Sequence, residues 1–322
     1  MTLRFTVAVI VRDDRAGLEA LLASLLKQTR PPDELVVVDG HSTDGTFELA
    51  QDVARLAPFP VRAVREAGPR GVARTRCLEL ATGDVVAFAD SDCVLEPDWL
   101  ARYERLWAEA SAGDPRPLAA LGGGGVTPPG SSPLQLAIDD VMGPAEARSF
   151  HGVNTMNACY HREAALAAGG FDARLHTAED PDLNARLARR GHRLLRVDNP
   201  VWHRRRGSWS ALVRQHYAYG KGAKALLARY PEYFPWYEAW VAPAGAAASL
   251  ALLALGLLVH PAFLALLALL VVATPFVVHR GFVRAFLRDH GPSAALLRRL
   301  GVLWVAFAIY QAGLLSARLG RA

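Results

Sequence analysis

Apolar positions along the first 130 residues follow two alternating rhythms. Short apolar runs at Phe5 to Val11, Leu35 to Val38 and Val85 to Ala89 read as strands, the latter two buried, and Val61 to Arg65 reads as a further strand. The stretches between them carry apolar residues at helical spacing. Leu18, Leu21, Leu22, Leu25 and Leu26 fall on one face of a first helix that ends before Pro31-Pro32. Phe47 to Arg55 and Val72 to Ala81 read as further helices, and Asp98 to Ala110 as another opened by Pro97. This order predicts a mostly parallel α/β sheet with flanking helices. Leu118 to Val126 is expected as one more strand, weakened by Gly122 to Gly125, and Thr127 to Pro133 as a loop. Farther on, Glu179 to Arg190 predicts a helix stopped by Gly191. Arg193 to Val197 and Val201 to His203 predict short strands, and Ser208 caps a helix running to Leu227.

The pattern changes after residue 240. Ala242 to Val259 contains only apolar and small residues, as does Pro261 to Val278 apart from Thr274. Each run is about 18 residues long, near the lower limit for crossing a bilayer core, and neither shows a polar stripe. Two transmembrane helices joined at His260-Pro261 are expected, with Leu300 to Leu315, bearing Gln311, as a third candidate. Arg280, Arg284, Arg288, Arg298 and Arg299 place the loop between the second and third runs on the cytoplasmic side. Two crossings before that loop keep the N-terminal part cytoplasmic as well. Arg280 to His290 is expected to lie on the inner leaflet with Phe282, Phe286 and Leu287 buried, and Trp236, Tyr237 and Trp240 at the interface. The expected organisation is therefore an α/β domain over residues 1–230, in halves 1–115 and 116–230, and a multi-pass domain over 231–322 in the inner membrane. Its helices are expected at about 242–259, 261–278 and 300–316.

Composition adds limits. The chain has 322 residues, enough for a sizeable core, and 52% of them are hydrophobic. A net charge of +5 raises the question of nucleic acid, but no basic stripe is interleaved with exposed aromatics, so no nucleic-acid partner is expected. Anionic lipid is the better partner for the excess arginine. Cys77, Cys93 and Cys159 lack metal-type spacing and read as reduced structural thiols. The run Phe5 to Val11 is too short for a signal peptide and stops at Arg12-Asp13-Asp14.

The candidate chemistry lies where strands end. Val85 to Ala89 runs into Asp90-Ser91-Asp92, two carboxylates one residue apart at the rim where open α/β sheets bind ligands. Paired acids suit Mg²⁺ or Mn²⁺, the cation a nucleotide diphosphate needs, although a solvated Asp turn has the same appearance. Asp39 ends the second strand, before Gly40-His41-Ser42-Thr43-Asp44-Gly45, and is placed to accept from a ribose or a base. Thr43 or Asp44 is the candidate cap for the following helix. Arg70, after Gly68-Pro69, sits where a helix N-terminus and a guanidinium hold phosphate together.

The order of Phe5 to Val11, Val38-Asp39-Gly40, Ser42-Thr43-Asp44-Gly45-Thr46, Arg74, Gly83-Asp84 and Asp90-Ser91-Asp92 resembles the family 2 glycosyltransferases. The resemblance covers about the first 230 residues. It continues with Gly169-Gly170-Phe171-Asp172 before Glu179-Asp180. It implies a GT-A (Rossmann-like) fold and inverting transfer of a sugar from a nucleotide-diphosphate sugar, with Mn²⁺ or Mg²⁺. The chain departs from the family at Asp13-Asp14 and at Thr75, where relatives place Asn, and lacks the Gln-x-x-Arg-Trp motif of processive members.

By that resemblance Asp180 is the candidate base, with Glu179 as supporting neighbour or second candidate. Asp92 is the candidate metal ligand, Asp90 touches ribose or the metal's surroundings, and Val9, Asp39 and Arg70 belong to the nucleotide side. His203 approaches the metal or diphosphate, or is simply packed. Arg204-Arg205-Arg206, Trp209, Arg214, Lys221 and Lys224 meet a diphosphate, a lipid phosphate or anionic headgroups. The expected acceptor is lipid-linked or part of a cell-envelope glycan. A nucleotidyltransferase and a non-catalytic membrane scaffold are the alternatives.

Overall fold

The computed structural model describes residues 3–148, 153–233, 238–278, 280, 284, 287, 288 and 294–319. They form two compact units, Met1–Ser131 with Met142–Arg205, and Ser132–Val141 with Arg206–Ala322.

In the first unit β1 (Phe5–Val11), β2 (Glu34–Asp39), β3 (Val61–Arg65) and β4 (Val85–Ala89) lie in parallel. Their crossovers are α1 (Arg15–Leu25), α2 (Thr46–Leu56) and α3 (Arg70–Leu80). β5 (Cys93–Val94) leads into α4 (Trp99–Ala112), followed by β6 (Leu118–Gly122) and β7 (Gly125–Val126); of α5 (Pro133–Arg148), which comes next, the residues up to Val141 belong to the second unit and the rest to the first. β8 (Asn157–His161), α6 (Arg162–Ala167), α7 (Glu179–Arg189), β9 (Arg193–Arg196) and β10 (Val201–His203) complete it. The main sheet runs β3-β2-β1-β4-β8-β6-β9, and β5-β10-β7 make a small second sheet. This is the mostly parallel, GT-A-like arrangement with helices on both faces.

Apolar side chains are continuous in β1, β2 and β4 because both faces are covered. On one face Val7, Val9, Leu35 and Val37 pack with Leu18 and Leu21 of α1 and Trp99, Leu100 and Tyr103 of α4. On the other, Phe88, Tyr160 and Phe171 meet edge to face at 5.6 to 6.0 Å between ring centres. Cys77, Cys93 and Cys159 are free thiols buried in these layers.

Three local expectations change, and one strand is added that no expectation covered. Leu26 lies past the end of α1 and is 48% exposed rather than on its buried face. The strand expected over Leu118 to Val126 breaks at Gly123-Gly124. A side chain on Gly123 would meet Asn157 Nδ2 at 2.5 Å, and Gly124 has φ +72°, so the chain turns there into the second sheet. Asn157–His161 is a strand, antiparallel to both β4 and β6. The helix α5 begins where the sequence suggests only the end of a loop.

The second unit contains α8 (Trp209–Arg229), α9 (Glu238–Leu258), α10 (Ala262–Val278) and α11 (Ala294–Leu319). α8 and α11 touch backbone to backbone: a side chain on Gly220 would meet Leu314 N at 2.9 Å, and one on Gly313 would meet Gly220 Cα at 3.2 Å. Arg299 Nε donates to Asp140 Oδ2 at 2.6 Å. Within α11, Arg298–Ser316 is long and apolar enough to cross a membrane by length and composition, with mean hydropathy 1.4. It is the one such helix among the described residues; those of α9 and α10 give shorter apolar stretches, Ala247–Leu258 and Ala262–Ala273. Leu257, Leu258 and Val259, at the turn between these two helices, are exposed. Leu287 is also exposed, whereas Trp236, Tyr237, Phe282, Phe286, His290 and the side chain of Trp240 lie outside the described residues.

Candidate active site

The acids after β4 are fixed by two turns of backbone and by the second sheet. The Asp90 N–H donates to Met156 O at 3.1 Å, and Cys93 N–H returns to Asp90 O at 3.1 Å. β10 pairs antiparallel with β5, setting His203 opposite Cys93. The imidazole Nε2 of His203 thereby lies 3.4 Å from Asp92 Oδ1, with both side chains largely buried. Between the two acids, Ser91 Oγ donates to Asp14 Oδ2 at 2.8 Å. Arg204 Nη2 reaches Asp14 Oδ1 at 3.2 Å, and Asp14 also caps α1 by accepting from Gly17 N–H at 3.3 Å. One carboxylate thus ties the end of β1, the acidic turn and the segment after β10 together.

A second tie comes from α3. The guanidinium of Arg74, 4% exposed, donates through Nη1 to Glu179 Oε1 and through Nη2 to Asp90 Oδ1, the latter at 3.1 Å. Burial opposes the charge on Arg74, but Glu179, Asp90 and Asp180 more than offset it and raise its pKa. Glu179 opens α7 and is buried, and that burial raises its carboxyl pKa against the pull of Arg74. Asp180, half-buried, accepts from Thr155 N–H at 3.2 Å and is raised by burial too, again with Arg74 pulling down. Ala178, just before the two acids, holds φ +71°, a strained value for a residue with a Cβ. Thr75 Oγ1 accepts from Phe171 N–H at 2.9 Å and donates to Phe171 O at 3.2 Å, pinning the Gly169–Asp172 turn to α3.

On the nucleotide side, Asp39 at the end of β2 is fully buried. Its Oδ2 accepts from Ser42 N–H at 2.9 Å and lies 3.5 Å from Arg65 Nε, whereas Oδ1 is buried with no partner. Asp44 accepts from the Thr46 N–H at 3.1 Å at the start of α2, although Gly45 occupies the cap position. Arg70 is exposed at the first residue of α3, and its charge adds only a minor downward pull on the Glu179 carboxyl that burial raises. Val9 lies inside β1 near its Val11 end, with its side chain fully buried in the apolar core.

The residues expected to carry chemistry therefore fall into an Asp92–His203 pair, an Asp90–Arg74–Glu179 chain beside Asp180, and a separate Asp39 corner. Among the described residues no three His, Cys, Asp or Glu side chains form a ready metal cluster. The pair that comes together, a carboxylate and an imidazole, offers donor types that suit Mn²⁺, and its carboxylate oxygen alone suits Mg²⁺.

Sequence reading placed Arg74 in the family pattern without a partner and missed Asp14 and Asn157 as site-forming residues. Asn157 Oδ1 accepts from Trp99 Nε1 at 2.9 Å and Tyr103 Oη at 2.8 Å, and Nδ2 donates to Gly124 O and Asn199 O at 2.7 Å each. All four partners are distant in sequence, so no local pattern marks it.

The fold and motifs have known counterparts. A mannosyltransferase from Pyrobaculum calidifontis, PcManGT, solved with GDP-Man and Mn²⁺, superposes with TM-score 0.58 at 22% identity over 99% of this chain and 87% of that one. S. aureus TarS 1–349 with UDP gives TM-score 0.50 at 15% identity over 99% and 92%. A Bacillus subtilis (strain 168) glycosyltransferase assigned to teichuronic acid biosynthesis, TuaG, is 35% identical over 98 residues, 30% of this chain and 39% of the relative. The glucosyl-dolichyl phosphate glucuronosyltransferase of Haloferax volcanii is 40% identical over 79 residues, 24% of this chain and 25% of the relative. These curated matches span well under half of the relatives' length. Residues 6–115 match glycosyl transferase family 2, and residues 135–309 match glycosyl transferase family group 2. With the second match alone extending over more than half of its residues, the chain belongs to the family 2 group of glycosyltransferases.

Proposed function

We propose that the chain moves a sugar, with inversion, from a nucleotide-diphosphate sugar to a membrane-associated acceptor, either lipid-linked or a cell-envelope glycan. The observation that carries this reading is the bridge of Arg74 between Asp90 and Glu179, which joins donor-side and acceptor-side acids at one rim. Asp180 takes the proton of the attacking acceptor hydroxyl as the bond from the anomeric carbon to the diphosphate breaks. Glu179 is engaged by Arg74, so it positions the start of α7 while Asp180 serves as base. Asp39 receives the nucleoside, and Arg70 with the α3 N-terminus faces phosphate. Asp92 and His203, with Asp90 alongside, would hold Mn²⁺ or Mg²⁺, which supplies Lewis-acid stabilisation of the leaving diphosphate.

Residues 1–230 form the catalytic domain in this reading and 231–322 the membrane domain. The apolar helices α9, α10 and α11 anchor it in the cytoplasmic membrane, with Arg280, Arg284, Arg288, Arg298 and Arg299 on the cytoplasmic side. Support for a membrane acceptor comes from the relative whose name specifies a dolichyl phosphate and from the exposed apolar turn at Leu257 to Val259. The test is incubation of the full chain in membranes with labelled sugar nucleotides and Mn²⁺ or Mg²⁺. The expected result is release of nucleoside diphosphate with label moving into the lipid or glycan fraction. Equal transfer to a soluble acceptor by residues 1–230 alone overturns the membrane acceptor, and pyrophosphate release overturns sugar transfer itself.

A further inference from the structure

The helix whose composition fits a membrane crossing is covered by protein. Among the 19 residues Arg298–Ser316 of α11, only Arg298 and Ala312 are exposed. On α9 and α10, by contrast, Leu250, Leu253, Leu264, Leu269 and Val272 all open outward. Val302, Leu303, Ala306 and Leu314 of α11 are buried, and its backbone at Gly313 meets that of α8 at Gly220. Trp304 Nε1 donates to Val271 O of α10 at 3.1 Å, and Arg299 is paired with Asp140 of α5. Packing within the second unit therefore accounts for the apolar character of α11, as it does for a core helix.

The helix it packs on is unsuited to hydrocarbon. α8 carries Arg214, Lys221, Lys224 and Arg229 and no Asp or Glu. Arg214, Tyr217 and Lys221 follow one another at helical spacing on an exposed face, opposite the buried Leu212, His216 and Leu226. Lys221 Nζ stands 5.9 Å from the Tyr217 ring centroid, and Trp209 and Tyr219 are exposed as well. A membrane–water interface accepts such cations and aromatics, whereas the bilayer centre rejects the charges. Were α11 to span from Arg298, Gly313 would stand about 22 Å across the bilayer at 1.5 Å per residue. The contact at Gly220 would then draw α8 and its cations through the core with it. The flanking charges point the same way: Arg298 and Arg299 precede the apolar part of α11, and Arg318 and Arg321 follow it. The positive-inside rule puts both groups on the cytoplasmic side, which a single crossing does not satisfy.

We propose that α11 does not cross the bilayer but lies with α8 along its cytoplasmic face, where Arg214 and Lys221 meet the phosphates of anionic lipids. The proposal rests on the reading of residues 231–322 as a membrane domain, made above. α9 and α10 are then the segments that enter hydrocarbon, and the chain on both sides of α11 stays on the side of the catalytic domain.

Cysteine labelling of the full chain in sealed membrane vesicles of either orientation tests this, because Cys77, Cys93 and Cys159 are buried. Ala322→Cys is treated with an impermeant maleimide, and Glu19→Cys, exposed on α1, marks the catalytic side. Both are expected to react in the same orientation and to be protected in the other. Labelling of Ala322→Cys in the orientation that protects Glu19→Cys overturns the placement of α11. A chain that washes out of the membranes in alkaline carbonate overturns the membrane domain itself, and this placement with it. The lipid partner is read from a fluorophore on Ser210→Cys, an exposed position one turn before Arg214, in nanodiscs. Brominated phosphatidylglycerol is expected to quench it at least about twofold more than brominated phosphatidylcholine at the same mole fraction, and that excess is expected to vanish in Arg214→Gln/Lys221→Gln. Quenching by neither lipid, or by both alike, overturns the contact with anionic lipid.

Discussion

Arg74 and Glu179 form a buried ion pair between α3 and α7 across 105 positions of chain. The same guanidinium reaches Asp90, so one cation fixes the end of β4 and the start of α7 relative to each other. Removing one partner of a buried pair leaves the other charge without compensation, which costs about 3–5 kcal/mol. Arg74→Ala is therefore expected to lower the unfolding free energy by that order, seen as a lower urea midpoint, with Arg74→Lys intermediate because it retains charge but not the two-pronged geometry. Denaturation followed by circular dichroism measures it, and an unchanged midpoint for Arg74→Ala contradicts the pairing.

Asp180→Asn is expected to reduce turnover about 10²- to 10⁴-fold with nucleotide affinity unchanged, the signature of a lost proton acceptor. Glu179→Gln is expected to act mainly through stability, since its carboxylate is committed to Arg74. Steady-state kinetics with separate nucleotide binding distinguishes the two. A larger loss of turnover in Glu179→Gln than in Asp180→Asn would reassign the base.

Burial raises the carboxyl of Asp180 above its ordinary 3.8, against the opposing pull of Arg74. The base must be ionised, so the acid limb of kcat/KM is expected to lie above the ordinary carboxylate value and to move higher in Arg74→Gln. Glu179 and Asp180 both have folded values above their unfolded ones. Their contribution to stability is thus fully present below about pH 4 and is lost as pH rises through the raised values. A pH–rate profile whose acid limb sits at or below 3.8 rules this out.

Asn157→Ala is expected to destabilise the first unit by about 3 kcal/mol or more, because it strips partners from the Trp99 N–H and two buried carbonyls at once. Thermal unfolding monitored by tryptophan fluorescence reads the loss, and a cost under about 1 kcal/mol would mean the network is dispensable.

The sequence made the parallel half of the sheet readable because strands buried on both faces show as unbroken apolar runs. The rim acids were readable for the same reason, since Asp39 and Asp90 end such runs. What it hid depends on contact at long range. Asn157-Ala158-Cys159-Tyr160-His161 mixes polar and apolar residues without a clear period, and becomes a strand only because β4 and β6 flank it. The break at Gly123-Gly124 follows from a carbonyl and an amide that occupy the space of a side chain. Thr75 stood out only as a departure from the family pattern; its two hydrogen bonds to Phe171 give it a structural purpose. Arg74 could not be matched to Glu179 from spacing alone.

Cys77, Cys93 and Cys159 sit on α3, β5 and β8, each with no exposed surface. Burial pushes the Cys77 thiol up to about 12 and the other two well above 9.0. Alkylation needs both a thiolate and a path to it, and the folded first unit withholds both. A maleimide added to the untouched enzyme would therefore act as a stopwatch for breathing of the molecule, with three separately identifiable tagged peptides telling which layer parts first.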